Sequence, residues 1–300
     1  MFHYFHDGKR HPAAQGTVSA LEFEQVLDRF ASVGKLLGAD EWAFRAERNA
    51  LREGEVCVTI DDGLVCQADV ALPHLKERGL PAFWFVQSGI LTGDVGLMEV
   101  FRQFRSEYFS TLSGFYEAFF SRTLGSRVGA GIGSRPAEMP DAYLEDFAFY
   151  SDEDRAFRYV RDEVLGPEEY IDVMSDLMSS MDTSVEKLSD GLFLTGACLQ
   201  ELEREGHIIG LHSHSHPYLL GGLPEEKQRL EYETNYEVLS EILVAPPFSV
   251  AHPRNSYGAE TLAILRSLGI RLGFRSNMAM PGYSNLEFPR KDSADVTLMH

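Results

Sequence analysis

Apolar and polar positions form blocks along the first part of the chain, and each block predicts one element. Residues 55–60 (EVCVTI) are β-branched and apolar, which predicts a buried strand. The polar turn 61–63 (DDG) follows it directly. A helix is predicted over 68–78, and a second apolar strand (PAFWFVQ) over 81–87. Strand, helix and strand within about thirty residues form a βαβ unit, which implies parallel pairing.

The same succession returns in the last third of the chain. Helices are predicted over 197–205 and 259–267, each closed by a glycine, and apolar strands follow over 207–211 and 270–274. This alternation predicts an α/β fold, either a parallel barrel or an open parallel sheet. In a barrel, catalytic residues lie on loops after the carboxyl ends of the strands. The DDG turn and His212 both hold such positions.

The middle of the chain has a different pattern. Between about residues 96 and 190 no strand is predicted, and aromatic residues recur at steps of three and four from Phe101 to Phe119. This stripe is typical of an amphipathic helix that packs into a core. A loop rich in glycine and proline follows over 125–140, and two or three further helices come before residue 190. We therefore expect one domain over 1–300 with a helical insertion at 96–190 that packs beside the catalytic face.

The balance of charged side chains narrows the range of partners. The sequence has 27 Lys and Arg against 46 Asp and Glu, a formal net charge of −19. Nucleic acids and anionic membranes require a basic surface, so neither is an expected partner. Because no apolar run suits a signal peptide or a membrane span, we expect a cytoplasmic protein. The oligomeric state stays open, with a homo-oligomer among the options.

Adjacent carboxylates at Asp61 and Asp62 are the first candidate for chemistry. Two carboxylates at one strand end repel each other, so a cation or a proton usually holds them together. One of them could bind a metal ion while the other takes a proton from water. The alternative is a solvated turn, because D-D-G is also common turn chemistry.

Three alternating histidines, His212, His214 and His216, are the second candidate. Neutral imidazoles are frequent ligands of zinc-like ions. A helical turn would place His212 and His216 on one face, whereas an extended strand would place all three there. The alternative is a surface cluster without a ligand.

One carboxylate and two imidazoles would leave coordination positions open, as a catalytic ion requires. A closed structural site would normally show four ligands, often thiolates. Cys57, Cys66 and Cys198 are odd in number and not spaced for such a site, so we expect buried free thiols.

These two motifs resemble those of a known family. Residues 58–63 (VTIDDG) resemble the T-F-D-D-G motif of the polysaccharide deacetylases, also called carbohydrate esterase family 4, and 212–217 (HSHSHP) resemble the family's H-[ST]-x-x-H motif. The resemblance implies a distorted (β/α) barrel with fewer strands than the standard eight. It also implies that Asp61 is the catalytic base and His214 a spacer. The same resemblance implies one divalent ion, which we expect to be zinc, held by Asp62, His212 and His216.

A third segment, 251–257 (AHPRNSY), is similar to the A-Y-P-Y-G-x-Y variant of a further family motif. It departs from that pattern, because Arg254 replaces an aromatic residue and Asn255 replaces a glycine. A backbone amide near Arg254 is expected to act as an oxyanion donor. The side chains expected to contact substrate are His252, Arg254 and Tyr257.

The last part of the chain resembles two more family segments. In 288–290 (FPR), the resemblance implies that Arg290 pairs with the catalytic aspartate and orients it. In 297–300 (TLMH), it implies that His300 is the general acid. The amino-terminal residues resemble a subgroup associated with surface-polysaccharide biosynthesis, whose members also tend to carry a helical insertion.

Together these features predict a metal-dependent hydrolase that removes an N-acyl group from an acylated amino sugar. An O-deacetylase or a deformylase on the same fold is one alternative, because the motifs specify hydrolysis and not the acyl group. A metal-binding pseudoenzyme that only recognises glycans is the other, and the altered third motif favours it. The presence of Asp61 argues against it, because metal binding alone does not need that residue.

Overall fold

Parallel β-strands form the centre of the computed structural model, which describes residues 1–94, 96–123, 136, 138–145, 150–279 and 284–293. Over those ranges the strands are β1 (Tyr4–His6), β2 (Thr17–Ser19), β3 (Lys35–Leu36), β4 (Glu55–Val56), β5 (Thr59–Asp61), β6 (Phe83–Val86), β7 (Ile208–Leu211), β8 (Ser249–Ala251) and β9 (Leu272–Phe274). Strands β5 to β9 form one parallel sheet in chain order, while β1 pairs with β2 and β3 with β4. The predicted α/β fold with a parallel sheet is confirmed.

About half of the remaining described residues lie in α-helices. They are α1 (Ala20–Val33), α2 (Ala39–Glu47), α3 (Leu72–Glu77), α4 (Gly89–Thr92), α5 (Leu97–Tyr108), α6 (Leu112–Thr123), α7 (Asp152–Tyr159), α8 (Gly166–Ser179), α9 (Val185–Ser189), α10 (Gly196–Arg204), α11 (Glu225–Ile242) and α12 (Ala259–Ser267). The chain divides into two compact units. The first joins Met1–Gly96 to Gly191–His300 and the second is Leu97–Asp190. No described helix is both long and apolar enough to cross a membrane.

The main sheet of the first unit is buried on both faces. Along β6, Phe83 and Phe85 belong to one apolar cluster and Trp84 and Val86 to another, because successive side chains of a strand point to opposite sides. The Phe83 face packs against Trp42 of α2 with ring centroids 5.9 Å apart. Helices α3, α10, α11 and α12 contribute to the cluster on the opposite face. Burial on both faces explains why the strands are continuous apolar runs without polar alternation.

Chain segments outside the strands connect the two edges of this sheet. Phe2 pairs in parallel beside β5, and Phe288 pairs in parallel beside β9. The main-chain nitrogen of Ser293 then donates to the carbonyl oxygen of Met1 at 3.1 Å. The segment around residue 290 is thereby carried next to β5. This connection brings Arg290 to the strand that ends in the carboxylate turn.

The second unit is helical in its described residues. The single aromatic helix expected here is wrong, because α5 ends at Tyr108 and α6 begins at Leu112. The hydroxyl of Thr111 accepts from the main-chain nitrogen of Gly114 at 3.1 Å, and this capping bond competes with helix continuation. The aromatic residues do pack into a core, in which Phe115 contacts Phe157 with ring centroids 5.3 Å apart. Most of the loop expected at 125–140 lies outside the described residues.

Two further expectations need correction. The strand predicted over 55–60 divides into β4 and β5, because β4 pairs with β3 while β5 pairs with β6. Cys57, Cys66 and Cys198 are free, as expected, but each is only partly buried.

Candidate active site

The strand ends of the main sheet bring three potential ligands together. Asp62 follows β5, and His212 and His216 follow β7. The Nε2 atoms of His212 and His216 lie 3.3 and 3.8 Å from Oδ1 of Asp62. One ligand atom from each residue lies within 4.8 Å of the others. We call these three residues the metal cluster.

The imidazole of His212 is fixed by bonds that leave one nitrogen for the cluster. Its Nδ1 donates to the carbonyl oxygen of Ala251 at 2.9 Å, which assigns the proton to Nδ1. Its main-chain nitrogen donates to Oδ1 of Asn235 at 2.9 Å, and Nδ2 of Asn235 donates to the carbonyl of Val86 at 3.1 Å. Metal-binding histidines are commonly oriented by such a second hydrogen bond. No local motif marks Asn235, because it lies on α11, far along the chain from the His loop.

Residues 212–217, which we call the His loop, are neither helical nor extended, so both expected conformations are wrong. Ser213 and His216 have φ values of 61° and 53°, and the turn is closed by a bond of 3.1 Å from the His216 nitrogen to the Ser213 hydroxyl. His214 is not part of the metal cluster. Its Nδ1 is hydrogen-bonded to Ser88 at 2.9 Å, and its Nε2 lies 3.4 Å from a carboxylate oxygen of Asp94.

Glu231 of α11 accepts three hydrogen bonds from the His loop. It was not among the site residues predicted from the sequence. Its Oε2 accepts from the main-chain nitrogens of His214 and Ser215 at 2.9 and 2.8 Å, and its Oε1 accepts from the Ser215 hydroxyl at 2.5 Å. A carboxylate that accepts several N–H and O–H bonds fixes a loop firmly. This loop conformation therefore depends on a helix that is remote in sequence.

The electrostatics of the metal cluster suit a cation. Burial opposes ionisation of Asp62, but the hydrogen bond and the charge of His212 hold the pKa of Asp62 below its usual range. Burial lowers the pKa of His216 to about 4, and the charges of His212 and Arg254 act in the same direction. His216 is therefore neutral at pH 7, which is the form that binds metal. One carboxylate and two imidazoles fit a zinc-like divalent ion.

Asp61 has a different partner from its neighbour. Its two oxygens accept from Nη1 and Nη2 of Arg290, each at 2.7 Å. Nε of Arg290 donates to the carbonyl oxygen of Arg275 at 2.6 Å, so the guanidinium is itself held in place. Burial would raise the pKa of Asp61, but the charges of Arg290 and His212 and the hydrogen bonds from Arg290 together outweigh burial and leave that pKa lowered. The carboxylate is therefore ionised and fixed in orientation.

His3 lies beside Asp61 and was not among the expected site residues. Its Nε2 is 3.7 Å from Oδ2 of Asp61, because the pairing of Phe2 with β5 places the next residue at the same strand end. Only a long-range strand pairing reveals this position. His300, the expected general acid, lies outside the described residues.

The expected substrate-binding residues differ in exposure. His252 is fully buried, its Nε2 donates to the carbonyl of Leu286 at 2.7 Å, and its ring stacks on Tyr257 at 4.1 Å. Burial lowers the pKa of His252 to about 4. This burial favours a positioning role for His252 over the substrate contact that we expected. Tyr257 is half-buried and donates to Glu287 at 3.1 Å.

Arg254 is exposed, unlike His252. Its guanidinium carbon lies 3.7 Å from the centroid of the Tyr218 ring. The main-chain nitrogens of Asn255 and Ser256 donate to carbonyls within the same turn, at 3.2 and 2.9 Å. These two amides are therefore engaged locally and are poor candidates for the expected oxyanion donor.

Comparison with known families addresses the identity of this site. Residues 187–273 match the family model described as polysaccharide deacetylase. Within residues 187–273 the chain is therefore similar to polysaccharide deacetylases. The matched segment includes the His loop and the third motif, and it ends in β9. No curated protein sequence matches the chain.

Solved structures share the fold at low sequence identity. The deacetylase PplD of Streptococcus pyogenes, in complex with acetate, aligns over 99% of this chain and 94% of its own, with a TM-score of 0.55 and 16% identity. IcaB of Ammonifex degensii aligns over 96% and 88%, with a TM-score of 0.54 and 18% identity. The BpsB deacetylase domain of Bordetella bronchiseptica aligns over 96% and 93%, with a TM-score of 0.51 and 12% identity. The expected fold, a distorted barrel of the deacetylase type, is confirmed.

Proposed function

We propose that this protein is a metal-dependent N-deacetylase that acts on an acylated amino sugar of a surface-polysaccharide precursor. One observation carries the proposal, namely the different surroundings of two adjacent carboxylates. Asp62 faces two imidazoles, while Asp61 is clamped by Arg290. A base and a ligand placed side by side are what metal-assisted hydrolysis requires. Zinc as the ion and the cytoplasm as the compartment stay predictions.

The residues divide the work of amide hydrolysis. An ion bound by Asp62, His212 and His216 would supply Lewis acidity to the acyl carbonyl and lower the pKa of water. Asp61 would accept the proton of the attacking water, because its carboxylate is ionised and its orientation is fixed. General-base help of this kind contributes about 10²- to 10⁴-fold to the rate. Arg290 is a positioning residue, since it contacts the base through two hydrogen bonds.

The two rival functions differ in what they require of the site. An O-deacetylase or a deformylase would use the same residues, so a panel of acylated sugars must separate these activities from N-deacetylation. A glycan-recognising pseudoenzyme could use the metal cluster but would not need a catalytic base. The buried pair of Asp61 and Arg290 argues against it, because burying two charges is costly and serves no purpose in binding metal alone.

Isosteric substitutions at positions 61 and 62 test the proposal. We expect Asp61→Asn to retain one equivalent of divalent metal and to lose at least about 10²-fold in turnover of an N-acetylated oligosaccharide. Asp62→Asn should lose both metal and turnover, because it removes the only carboxylate of the cluster among the described residues. Metal content is measured by elemental analysis after dialysis, with circular dichroism as the folding control. Equal loss of metal in both variants would contradict the division of roles.

A further inference from the structure

A fully buried amide side chain, that of Gln67, spans the turn that carries the two adjacent carboxylates. We call residues 61–64 the Asp turn. Nε2 of Gln67 donates to the carbonyl oxygen of Asp61, and Oε1 accepts from the main-chain nitrogen of Leu64 at 3.0 Å. The same Nε2 also donates to the carbonyl oxygen of His3 at 2.7 Å. One side chain therefore joins the first and last residues of the Asp turn to the amino-terminal segment that lies beside β5.

The backbone conformation of the Asp turn needs such support. Asp62 and Gly63 have φ values of 80° and 70°, and an aspartate seldom adopts this left-handed region. The main-chain nitrogen of Asp62 donates to the carbonyl of Phe85 at 3.0 Å, and the carbonyl of Gly63 accepts from the nitrogen of Leu194 at 2.8 Å. These bonds hold the middle of the turn, whereas the buried amide holds its two ends. The directions of both carboxylates therefore depend on that amide.

The backbone at Gln67 is itself uncommon. Residues Gln67–Ala71 form a π-helical turn directly before α3, in which the main-chain nitrogen of Leu72 donates to the carbonyl of Gln67. Such turns are rare and occur frequently at functional sites. The segment that carries the amide thus has a backbone form that is frequent near functional sites.

We propose that Gln67 is a positioning residue that fixes Asp61 as the base and Asp62 as the metal ligand. The inference rests on the proposed deacetylase function and adds a residue that acts only through the main chain of the Asp turn. An amide suits this position because it donates twice and accepts once without carrying a charge. An apolar side chain would leave two carbonyl oxygens and one N–H without these bonds in the interior, which is costly. The turn would then change its conformation, and both carboxylates would move.

The substitution Gln67→Met tests this role through metal binding, which needs no substrate. Methionine is flexible and similar in length to glutamine, so it fills the space without replacing the hydrogen bonds. We expect the Kd for Zn²⁺ to rise at least about 10-fold, as is typical when groups that orient metal ligands are lost. Calorimetric titration of the metal-free protein provides the measurement, with circular dichroism as the folding control.

The matched control is Gln228→Met on α11. Gln228 is also buried, and its amide also bridges two segments, because it donates to the carbonyl of Leu223 at 2.7 Å and accepts from Thr261 at 2.6 Å. Its loss removes hydrogen bonds of the same kind outside the Asp turn. We expect the Kd for Zn²⁺ to change less than about twofold in this variant, because distant sites act independently.

Turnover at saturating Zn²⁺ separates the effect on the base from the effect on the ligand. We expect kcat of Gln67→Met on an N-acetylated oligosaccharide to fall at least about 10-fold, with KM changed less than about threefold. The physical reason is that Asp61 is displaced while the surfaces that contact the substrate remain. A merely structural role would lower stability in both methionine variants without this division between kcat and KM.

The outcomes separate this inference from the proposed function. Equal Zn²⁺ affinity in the wild type and Gln67→Met, or equal weakening in Gln67→Met and Gln228→Met, would overturn the inference while deacetylation stands. A wild type that binds Zn²⁺ but hydrolyses no N-acetylated sugar would remove the proposed function. The Zn²⁺ affinities would still decide whether Gln67 positions the ligand.

A second variant, Gln67→Glu, replaces Gln67→Met if the latter does not fold. Glutamate has the same shape and keeps an acceptor for Leu64, but it offers at most one donor, when protonated, to the two carbonyl oxygens. A negative charge at this position would by itself favour a bound cation. Weaker Zn²⁺ binding in Gln67→Glu therefore supports the inference, and unchanged or stronger binding refutes it.

Discussion

Adjacent residues at the end of β5 acquire different partners through their backbone conformations. Asp61 is the last residue of the strand, so its side chain keeps the alternation of the sheet and meets Arg290. Asp62 has a φ of 80°, which turns the chain and directs its carboxylate toward His212 and His216. A left-handed conformation at a non-glycine residue costs free energy and persists only where neighbours enforce it. The turn is therefore specified by its partners rather than by local preference.

Two histidines are candidates for the proton donor to the leaving amine in the proposed reaction. The family resemblance assigns this role to His300, while His3 lies 3.7 Å from Asp61. We expect His300→Ala to reduce hydrolysis of an amide substrate by roughly 10²-fold, and that of an activated ester of the same sugar much less, because only the amine needs an acid. His3→Ala should reduce both rates alike, since His3 contacts the base.

Rates on the paired substrates, with metal content as a control, distinguish these two histidines. His11→Ala serves as the matched substitution, because His11 pairs with Asp69 at the surface. A loss confined to the amide in His3→Ala, with none in His300→Ala, would transfer the acid role to His3.

Site residues could be predicted from the sequence where they lie together in one short motif. The metal cluster and Asp61 stand in short segments whose chemistry is visible in sequence. The supporting residues were not, because each reaches the site through a separate element. Glu231 and Asn235 come from α11, and His3 comes from a segment that pairs beside β5. Nothing in their local sequence distinguishes them from ordinary surface or core residues.

Close contact between two loops gives a prediction at the scale of elements. A methyl group at Gly221 would meet backbone atoms of Tyr257 at 2.8 Å, whereas one at Gly222 would meet only the Cβ of Leu219 at 3.9 Å. We expect Gly221→Ala to lower the free energy of unfolding by about 1–3 kcal/mol and to weaken substrate binding, because the backbone must shift. Gly222→Ala should change it by less than about 0.5 kcal/mol. Urea titrations measure the free energy of unfolding, and KM measures substrate binding. Similar results for the two variants would contradict a close backbone contact at Gly221.

Helices and strands could be predicted where the hydrophobic periodicity and the residues that end an element agree. The helix predicted over 259–267 is α12, Ala259–Ser267, and the glycine at 269 has the positive φ of a helix stop. Prediction failed where tertiary pairing decides. Residues 55–60 read as one apolar strand, yet β4 and β5 join different sheets. Such a division depends on the position of β3, which the local pattern does not contain.

At the scale of the whole molecule, the two units differ in their content of tryptophan, the residue whose fluorescence reports unfolding. The sequence contains two tryptophans, Trp42 and Trp84, and both lie in the first unit, within Met1–Gly96. Both are buried. Tryptophan fluorescence therefore reports unfolding of the first unit. This matters because a chain with two compact units need not unfold in a single transition.

His207 couples the stability of that unit to pH. Its imidazole is buried, and its Nδ1 accepts from the Ala82 nitrogen at 2.9 Å and from the Trp84 indole at 3.2 Å. Burial lowers its pKa from 6.5 to about 4. Between those values the unfolded chain binds a proton that the folded chain does not. The contribution of neutral His207 is therefore complete above pH 6.5 and is lost as the pH falls through 4.

Replacement of His207 by asparagine tests this coupling, because the amide oxygen can still accept a hydrogen bond but does not titrate in this range. A pKa difference of this size corresponds to about 3 kcal/mol. We expect the difference in free energy of unfolding between wild type and His207→Asn to change by about that amount, in favour of the variant, from pH 7 to pH 4. Urea titrations followed by tryptophan fluorescence at both pH values provide the measurement. Titrations of other groups affect both proteins and cancel in the difference. If the difference does not vary with pH, a residue other than His207 controls the acid stability of the first unit.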